Sequence, residues 1–169
     1  DAQIYIPEFL ENIIEKNLDC LDFIKCPDNQ LPLFNGASEN FFDQLNEYLI
    51  NKTRKKNTES VIGGLFKIKH KNHLLFFDVT QPPRKKFSKC YQSGPLSFEY
   101  FLDGVKIISN SGFGNNISSK TELVSRLTAC QSTLTLNDTS VSKFERNKLI
   151  NKIFGNSIKD SFKIHNLNF

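Results

Sequence analysis

The sequence predicts an α+β protein in which helices come first and antiparallel strands, the larger part, follow. Three observations predict this order. Apolar residues recur at helical spacing up to about residue 50, and hairpin patterns replace them from about residue 60. Residues 1–50 hold two lysines and ten acidic residues, net −8, and residues 51–169 hold twenty basic and eight acidic residues, net +12. Opposite charges in the two regions indicate two structural units.

The first region predicts two amphipathic helices. One spans Ile6 to Ile24, with Pro7 at its first position and Pro27 beyond its end. Its apolar stripe comprises Leu10, Ile13, Ile14, Leu18 and Leu21. A second helix follows Ser38, a good N-cap residue, and ends near residue 53. The two helices form an αα-hairpin that needs neighbours to cover its apolar faces.

The second region predicts two β-hairpins and two further strands. Residues 61–70 and 73–80 flank Lys71-Asn72, and residues 97–102 and 105–110 flank Asp103-Gly104, the strongest turn signal in the chain. Two further stretches, 131–136 and 161–167, are predicted strands, and a turn is expected over residues 137–139.

Composition excludes several classes of protein. No stretch of about 18 apolar residues exists, so the sequence predicts no transmembrane segment. The four cysteines lack metal-site spacing and the three histidines do not complete a zinc site, so we expect free thiols, with a Cys20–Cys26 disulfide as the alternative. The chain begins with Asp1, has no signal-peptide pattern and stops within or after a predicted strand, so we expect a fragment of a longer protein.

Two segments carry a resemblance to a known family. Residues 92–112 begin with Gln-Ser-Gly-Pro-Leu-Ser-Phe-Glu, and residues 125–140 contain Arg-Leu-Thr-Ala-Cys-Gln-Ser-Thr-Leu. They resemble the heparinase II/III-like patterns His-x-Asp-x-Leu-Ser-Phe-Glu and Arg-x-Thr-x-Ala-His-Ser-Thr-Leu. Residues 31–36, Leu-Pro-Leu-Phe-Asn-Gly, are similar to a segment near the end of that family's helical toroid. The resemblance implies the last helices of an α/α toroid over residues 1–55 and the first part of an antiparallel β-sandwich over residues 56–169.

The resemblance also implies a chemistry, the cleavage of acidic glycans by β-elimination. A base takes the C5 proton of a uronic acid and the C4–O4 bond breaks, which needs a positioned acid and base. In the family a Tyr and an Asn or His of the toroid serve this step, and their positions lie upstream of Asp1. The implied partners are therefore an acidic polysaccharide or oligosaccharide and the remainder of the parent chain, in the cell envelope or periplasm. The 169 residues alone are expected to show no turnover.

The site residues carried over from the resemblance include one catalytic position. Gln131 stands at the family's His in the Ala-His-Ser-Thr motif, and the expected substrate-binding residues are Arg126, Gln92, Asn35 and Ser132. Gln92 stands where many relatives have His and Gly94 where they have Asp, near a divalent metal in some members. A carboxamide cannot titrate. We therefore expect no metal or other cofactor, and Gln131 can bind a carboxylate but not transfer protons.

Other interpretations remain open at this point. The departures at residues 92 and 131 equally fit a catalytically inactive carbohydrate-binding or cell-envelope protein of the same fold. Arg126 can instead serve a structural ion pair, and the basic runs near residues 54 and 85 can be a solvated face. Nucleic acid is not an expected partner, because few aromatic residues accompany the basic runs.

Overall fold

The computed structural model describes residues 7–38, 60–160 and 162–165. Helix α1, Glu8–Ile24, confirms the first predicted helix. Pro7 occupies the N-cap, one position earlier than expected, and Glu8 and Glu11 lie in the first turn, where they favour the positive end of the helix dipole. The second predicted helix, after Ser38, lies outside the described residues.

Within the described ranges, the C-terminal end of α1 is the part of the helix that packs against the strands. Phe23 is buried, whereas Phe9 is 61% exposed and Ile13 is 51% exposed. The ammonium group of Lys67 donates to the carbonyl oxygen of Phe23 at 2.5 Å and lies 5.3 Å from the centre of its ring. Helix α1 is therefore attached to the strands through its last turn.

In the part of the chain that the structure describes, five antiparallel strands form one sheet in the order β1-β2-β3-β4-β5. Their bounds are β1 Val61–Ile62, β2 Leu65–His70, β3 His73–Asp78, β4 Phe98–Leu102 and β5 Val105–Ile108. Both predicted hairpins are confirmed: Phe66 pairs with Phe77 in the first and Leu102 with Val105 in the second. The predicted strand over 61–70 is divided in two, because Gly63 and Gly64, at φ of +60° and +82°, make a turn.

The inner face of the sheet holds the hydrophobic core. Phe76 and Phe101, both fully buried, meet edge to face with ring centres 6.4 Å apart. Cys26 and Phe34, from the segment that follows α1, pack against them together with Leu74. Cys26 and Phe34 therefore complete the core of the sheet.

The outer face of the sheet is also apolar but much less covered. Alternation along β3 and β4 places Leu75, Phe77, Phe98, Tyr100 and Leu102 on it, each half-buried. Val105 and Ile107 on β5 are 62% and 55% exposed. An antiparallel sheet with one face on the hydrophobic core is the form that one layer of a β-sandwich takes, and the predicted mainly-β architecture is confirmed.

The chain after β5 is mostly irregular and holds two short helices that the sequence pattern did not predict. Helix α2, Ser119–Val124, starts at Ser118, whose hydroxyl accepts from the backbone NH of Thr121. Helix α3, Lys148–Phe154, starts at Asn147. No helix among the described residues is long and apolar enough to cross a membrane.

The strand predicted over residues 131–136 is wrong. A 3-10 turn, Thr128–Cys130, precedes bends, and Leu136 makes a single bridge to Thr139 across the predicted turn. Side-chain bonds replace ladder bonds here: the hydroxyl of Thr133 donates to the Pro95 carbonyl oxygen at 2.7 Å. The strand predicted over 161–167 is likewise not seen in its described part, residues 162–165.

All four cysteines are free thiols, as expected, and the alternative Cys20–Cys26 disulfide is not formed. Cys26 is buried in the core, and burial raises the pKa of its thiol to about 12. A thiol with this pKa remains protonated at neutral pH and is a poor nucleophile.

Candidate functional site

Gln92 lies in the loop before β4 and is almost fully buried. Its Oε1 accepts from the backbone NH of Gly36 at 3.0 Å. Its Nε2 donates to the carbonyl oxygens of Gly112 at 2.9 Å and Ser125 at 3.1 Å. One carboxamide therefore joins three segments that are far apart in the sequence.

Gln131 lies beside Gln92 and shares one of its partners. The Nε2 of Gln131 donates to the Ser125 carbonyl oxygen at 2.7 Å, so two carboxamides converge on one acceptor. Gly94 leaves space for this arrangement, since a Cβ at that position would lie 2.8 Å from Cγ of Gln131. The structure thus brings together Gln92, Gly94 and Gln131, three of the positions at which the sequence departs from the family pattern.

Asn35 is positioned by a hydrogen bond to a residue of the sheet. Its Nδ2 donates to Oδ2 of Asp78 at 2.8 Å. Asp78, at the end of β3, also accepts from the backbone NH of Thr80 at 2.9 Å. Burial raises the pKa of the Asp78 carboxyl, and these two hydrogen bonds oppose that effect.

Ser132 is bound to the start of β4. Its hydroxyl accepts from the backbone NH of Phe98 at 3.1 Å and lies within hydrogen-bond distance of the Phe98 carbonyl oxygen. The backbone NH of Ser132 donates to Oδ1 of Asn110 at 2.9 Å. Ser132 therefore makes hydrogen bonds to β4 of the kind that a paired strand would make, at a position where a strand was predicted.

Arg126 is fully buried, and backbone carbonyl oxygens surround its guanidinium group. Its Nε donates to Tyr91 at 2.8 Å, its Nη2 to Ser88 at 2.7 Å, and its Nη1 to Asn156. The guanidinium also lies over the ring of Phe144 at 4.2 Å. Burial lowers the pKa of Arg126 to about 10. The position fits a structural role. Backbone carbonyl oxygens are the hydrogen-bond partners of the guanidinium, where the alternative considered from the sequence was an ion pair with a carboxylate.

Two buried carboxylates were not identified from the sequence. Asp78 is one, and Glu99 on β4 is the other: its Oε1 accepts from the backbone NH of Asn110 at 3.1 Å, and its Oε2 lies 3.5 Å from the ammonium of Lys106. Alternation along β4 places Glu99 on the same face as the buried Phe101. A charged residue at an inward strand position was the signal available in the sequence.

The residues at the family's metal positions do not fit a divalent cation. Gln92 Oε1 is already an acceptor for Gly36, both Nε2 groups point at the Ser125 carbonyl oxygen, and Gly94 has no side chain. Such cations require several carboxylate or imidazole ligands. The described part of the chain holds no group of three or more His, Cys, Asp or Glu that could bind a metal ion.

The cluster of Gln92, Gly94 and Gln131 can therefore position groups but cannot transfer protons. Carboxamides donate and accept hydrogen bonds without titrating. The nearby Tyr91 is buried, which raises the pKa of its phenol and opposes its ionisation. Two surface clefts, of about 630 and 900 Å³, lie elsewhere, and Gln131 lines neither.

The described residues thus form an antiparallel sheet that is preceded by a helix and followed by the motif-bearing loops. The sequence matches the family model described as heparinase II/III-like, C-terminal, over residues 54–166. The chain belongs to this family. No curated protein matches the sequence.

Solved structures show the same fold at low sequence identity. A mutant of heparan sulfate lyase HepC from Pedobacter heparinus superposes with a TM-score of 0.61 at 19% identity, covering 84% of this chain and 28% of that chain. A heparinase III gene product gives 0.57 at 18% identity, covering 83% and 26%. Another heparinase III structure gives 0.57 at 11% identity, covering 83% and 29%. The chain thus spans under a third of the length of these proteins.

Proposed function

We propose that this chain is the sandwich part of a lyase-like protein that binds or cleaves uronate-containing glycans by β-elimination. The match to the family model over residues 54–166 carries the proposal. The proton-transferring groups come from the remainder of the parent chain, because Gln92 and Gln131 cannot titrate. This chain supplies the hydrogen-bonding wall of the glycan site, in which Gln131 orients a glycan carboxylate with the Nε2 hydrogen that is not donated to the Ser125 carbonyl oxygen.

The lyase assay is run on the full-length parent protein with a panel of uronate-containing glycans. We expect absorbance from the unsaturated uronate product, and no product across the panel would overturn the lyase proposal. The variant Gln131→Ala should raise KM and leave the shape of the pH profile unchanged, because the carboxamide positions substrate but has no proton to transfer. A change in the apparent pKa values of the profile would contradict this role.

A second function is favoured by one observation, the carboxamides at positions where relatives carry ionisable groups. In this alternative the protein binds carbohydrate without cleaving it, in the cell envelope. The test is Gln131→His in the parent protein. Unchanged glycan binding with no product in either form supports the binding protein, and a gain of product supports a lyase weakened by the substitution.

The location of the protein is proposed on the same basis. A lyase acting on extracellular polysaccharide would work in the periplasm or the cell envelope. Fractionation of cells that express the tagged parent protein tests this, and recovery only in the cytoplasmic fraction would contradict it.

A further inference from the structure

A cleft of about 630 Å³ separates the loop after β3 from the C-terminal segment, away from the Gln92 and Gln131 pair. Its volume lies within the range of about 300–1,000 Å³ that is usual for ligand sites. Five basic residues and one aromatic residue line much of it: Arg84, Lys85, Lys159, Lys163, His165 and Phe162.

Side-chain hydrogen bonds join the two walls of this basic cleft. Gln81 on one wall donates from Nε2 to the carbonyl oxygen of Ile164 at 2.7 Å and accepts at Oε1 from the backbone NH of Ile164 at 3.0 Å. A further hydrogen bond joins the same two segments: the backbone NH of Ile158 donates to the hydroxyl of Ser88 at 2.9 Å. These bonds fix the spacing of the walls, so the cleft is formed before any ligand binds.

The charge of the basic cleft is not neutralised from within. Of the described residues that line it, Asp160 is the one acidic residue, and its carboxylate lies 3.9 Å from the ammonium of Lys143 outside the cleft. Lys85 lies 3.6 Å from Glu145. Within the described ranges, no carboxylate lies within 4.0 Å of the charged groups of Arg84 or Lys163. The field of the cleft is therefore positive and attracts anions.

We propose that the basic cleft binds an anionic stretch of glycan, with carboxylate or sulfate groups on its sugars, as an anchoring site separate from the Gln131 wall. The inference rests on the proposed function for the class of ligand. The planar fork of Arg84 suits the paired oxygens of a carboxylate or sulfate. Lys163 and Lys159 add point charges, and Phe162 offers an apolar surface to the face of a sugar ring.

Single-stranded nucleic acid is the less suitable polyanion. Its binding sites combine positive charge with several aromatic rings on which successive bases stack. Among the described residues that line the cleft, Phe162 is the one aromatic side chain. A glycan needs no such series of rings, because its recognition relies on charge and hydrogen bonds.

The test measures binding by calorimetry to the full 169-residue chain. The probes are a heparin oligosaccharide, an unsulfated oligouronate, a neutral dextran oligosaccharide and a single-stranded DNA oligonucleotide. The double variant Arg84→Gln/Lys163→Gln is compared with Lys69→Gln/Lys120→Gln, which removes the same charge from exposed positions outside the cleft. All four positions are exposed, so we expect each variant to fold, and far-UV circular dichroism checks this.

We expect the cleft variant to lose at least tenfold in affinity for an anionic oligosaccharide and the control variant less than threefold, with no binding of dextran. Binding of both anionic probes indicates carboxylate recognition, and binding of heparin alone indicates that sulfate is required. Equal losses in the two variants, or no binding of either anionic probe, would overturn the proposal. The proposal would also be overturned if the cleft variant lost as much affinity for single-stranded DNA as for the anionic oligosaccharides.

This result is separable from the proposed function. If the cleft variant keeps its affinity for the anionic oligosaccharides, and the parent protein with the same substitutions still forms lyase product, the anchoring site alone is overturned. Absence of product, together with cleft-dependent binding of anionic glycan, would overturn the lyase proposal alone.

Discussion

At the scale of single residues, the polar side chains near the family motifs are organised around buried backbone groups. Arg126 donates to three carbonyl oxygens, and Gln92 and Gln131 donate to a fourth, that of Ser125. Buried carbonyls without partners are costly. These side chains therefore hold irregular segments together in a region where strands and helices satisfy few backbone groups.

Replacing Arg126 should be strongly destabilising. Arg126→Ala leaves three carbonyl oxygens without their donor and removes the contact with the ring of Phe144. We expect a loss of about 3 kcal/mol or more in the free energy of unfolding, measured by urea denaturation. Arg146→Ala, at an exposed arginine, is the control and should change it by less than about 0.5 kcal/mol. Similar losses in both variants would contradict the structural role of Arg126.

The buried carboxyl of Asp78 should make stability depend on pH. Burial raises its folded pKa above the ordinary value of 3.8. The folded state therefore keeps this proton at a pH at which the unfolded state has released it, and stability falls as pH rises through that window. Asp78→Asn should flatten this part of the curve of unfolding free energy against pH.

Asp138→Asn, at an exposed turn position, is the control for the pH measurement and should leave the slope unchanged. Asn at position 78 can still bond with Asn35 if one amide turns over. A slope that is the same in the wild type and in Asp78→Asn would show that other groups govern the pH dependence.

At the scale of elements, tight turns determine how the sheet is assembled. Asp103 and Gly104, at φ of 52° and 82°, form the two-residue turn between β4 and β5. Lys71, at φ 53°, occupies the same region between β2 and β3, where a lysine is strained and glycine or asparagine is not. The right-handed twist of paired strands favours such turns, so these residues set the register of both hairpins.

Substitutions at the two turns should act in opposite directions. Gly104→Ala is expected to cost about 1 kcal/mol, because an L side chain at positive φ is strained and the nearest atom to the new Cβ, in Pro27, is 3.8 Å away and causes no clash. Lys71→Gly relieves strain and should stabilise the protein by about 0.5 kcal/mol. Thermal or urea unfolding measures both, and a loss of stability from each would contradict the assignment of strain to the backbone.

At the scale of the whole molecule, the segment after α1 is part of the sheet's core. Phe34 is buried with Phe76 and Phe101, Asn35 bonds to Asp78, and Gly36 bonds to Gln92. The boundary predicted at residue 55 remains a prediction. The contacts nevertheless make residues 26–36 depend on the strands, whatever unit the helices belong to.

Phe34→Ala should therefore destabilise the sheet itself. Truncating a buried phenylalanine costs about 3–5 kcal/mol. Phe9→Ala on α1, where the side chain is 61% exposed, serves as the control and should change the free energy of unfolding by less than about 0.5 kcal/mol. Hydrogen exchange at β3 and β4 measures the effect where it is expected. Unchanged protection of these strands in Phe34→Ala would show that the segment does not contribute to their stability.

The sequence by itself determined the elements whose cause is local. Helical spacing and Pro27 determine α1, and Asp103-Gly104 and Lys71-Asn72 determine two hairpins, because periodicity and turn chemistry act within a few residues. The motif around Gln131 also identified the family, even though the strand expected there is a series of bends held by side-chain bonds. The residue types of the motif thus located the cluster but did not predict its backbone conformation.

Only the tertiary structure decided what the polar residues do. Asn35 bonds to a carboxylate 43 residues away, Gly36 to a carboxamide 56 residues away, and Arg126 to a carbonyl 38 residues away. No local pattern specifies such partners, because they are brought together by the packing of the sheet against the loops. The burial of Arg126 and the opening of the basic cleft follow from that packing, so one arginine is fully buried at position 126 and another is exposed at position 84.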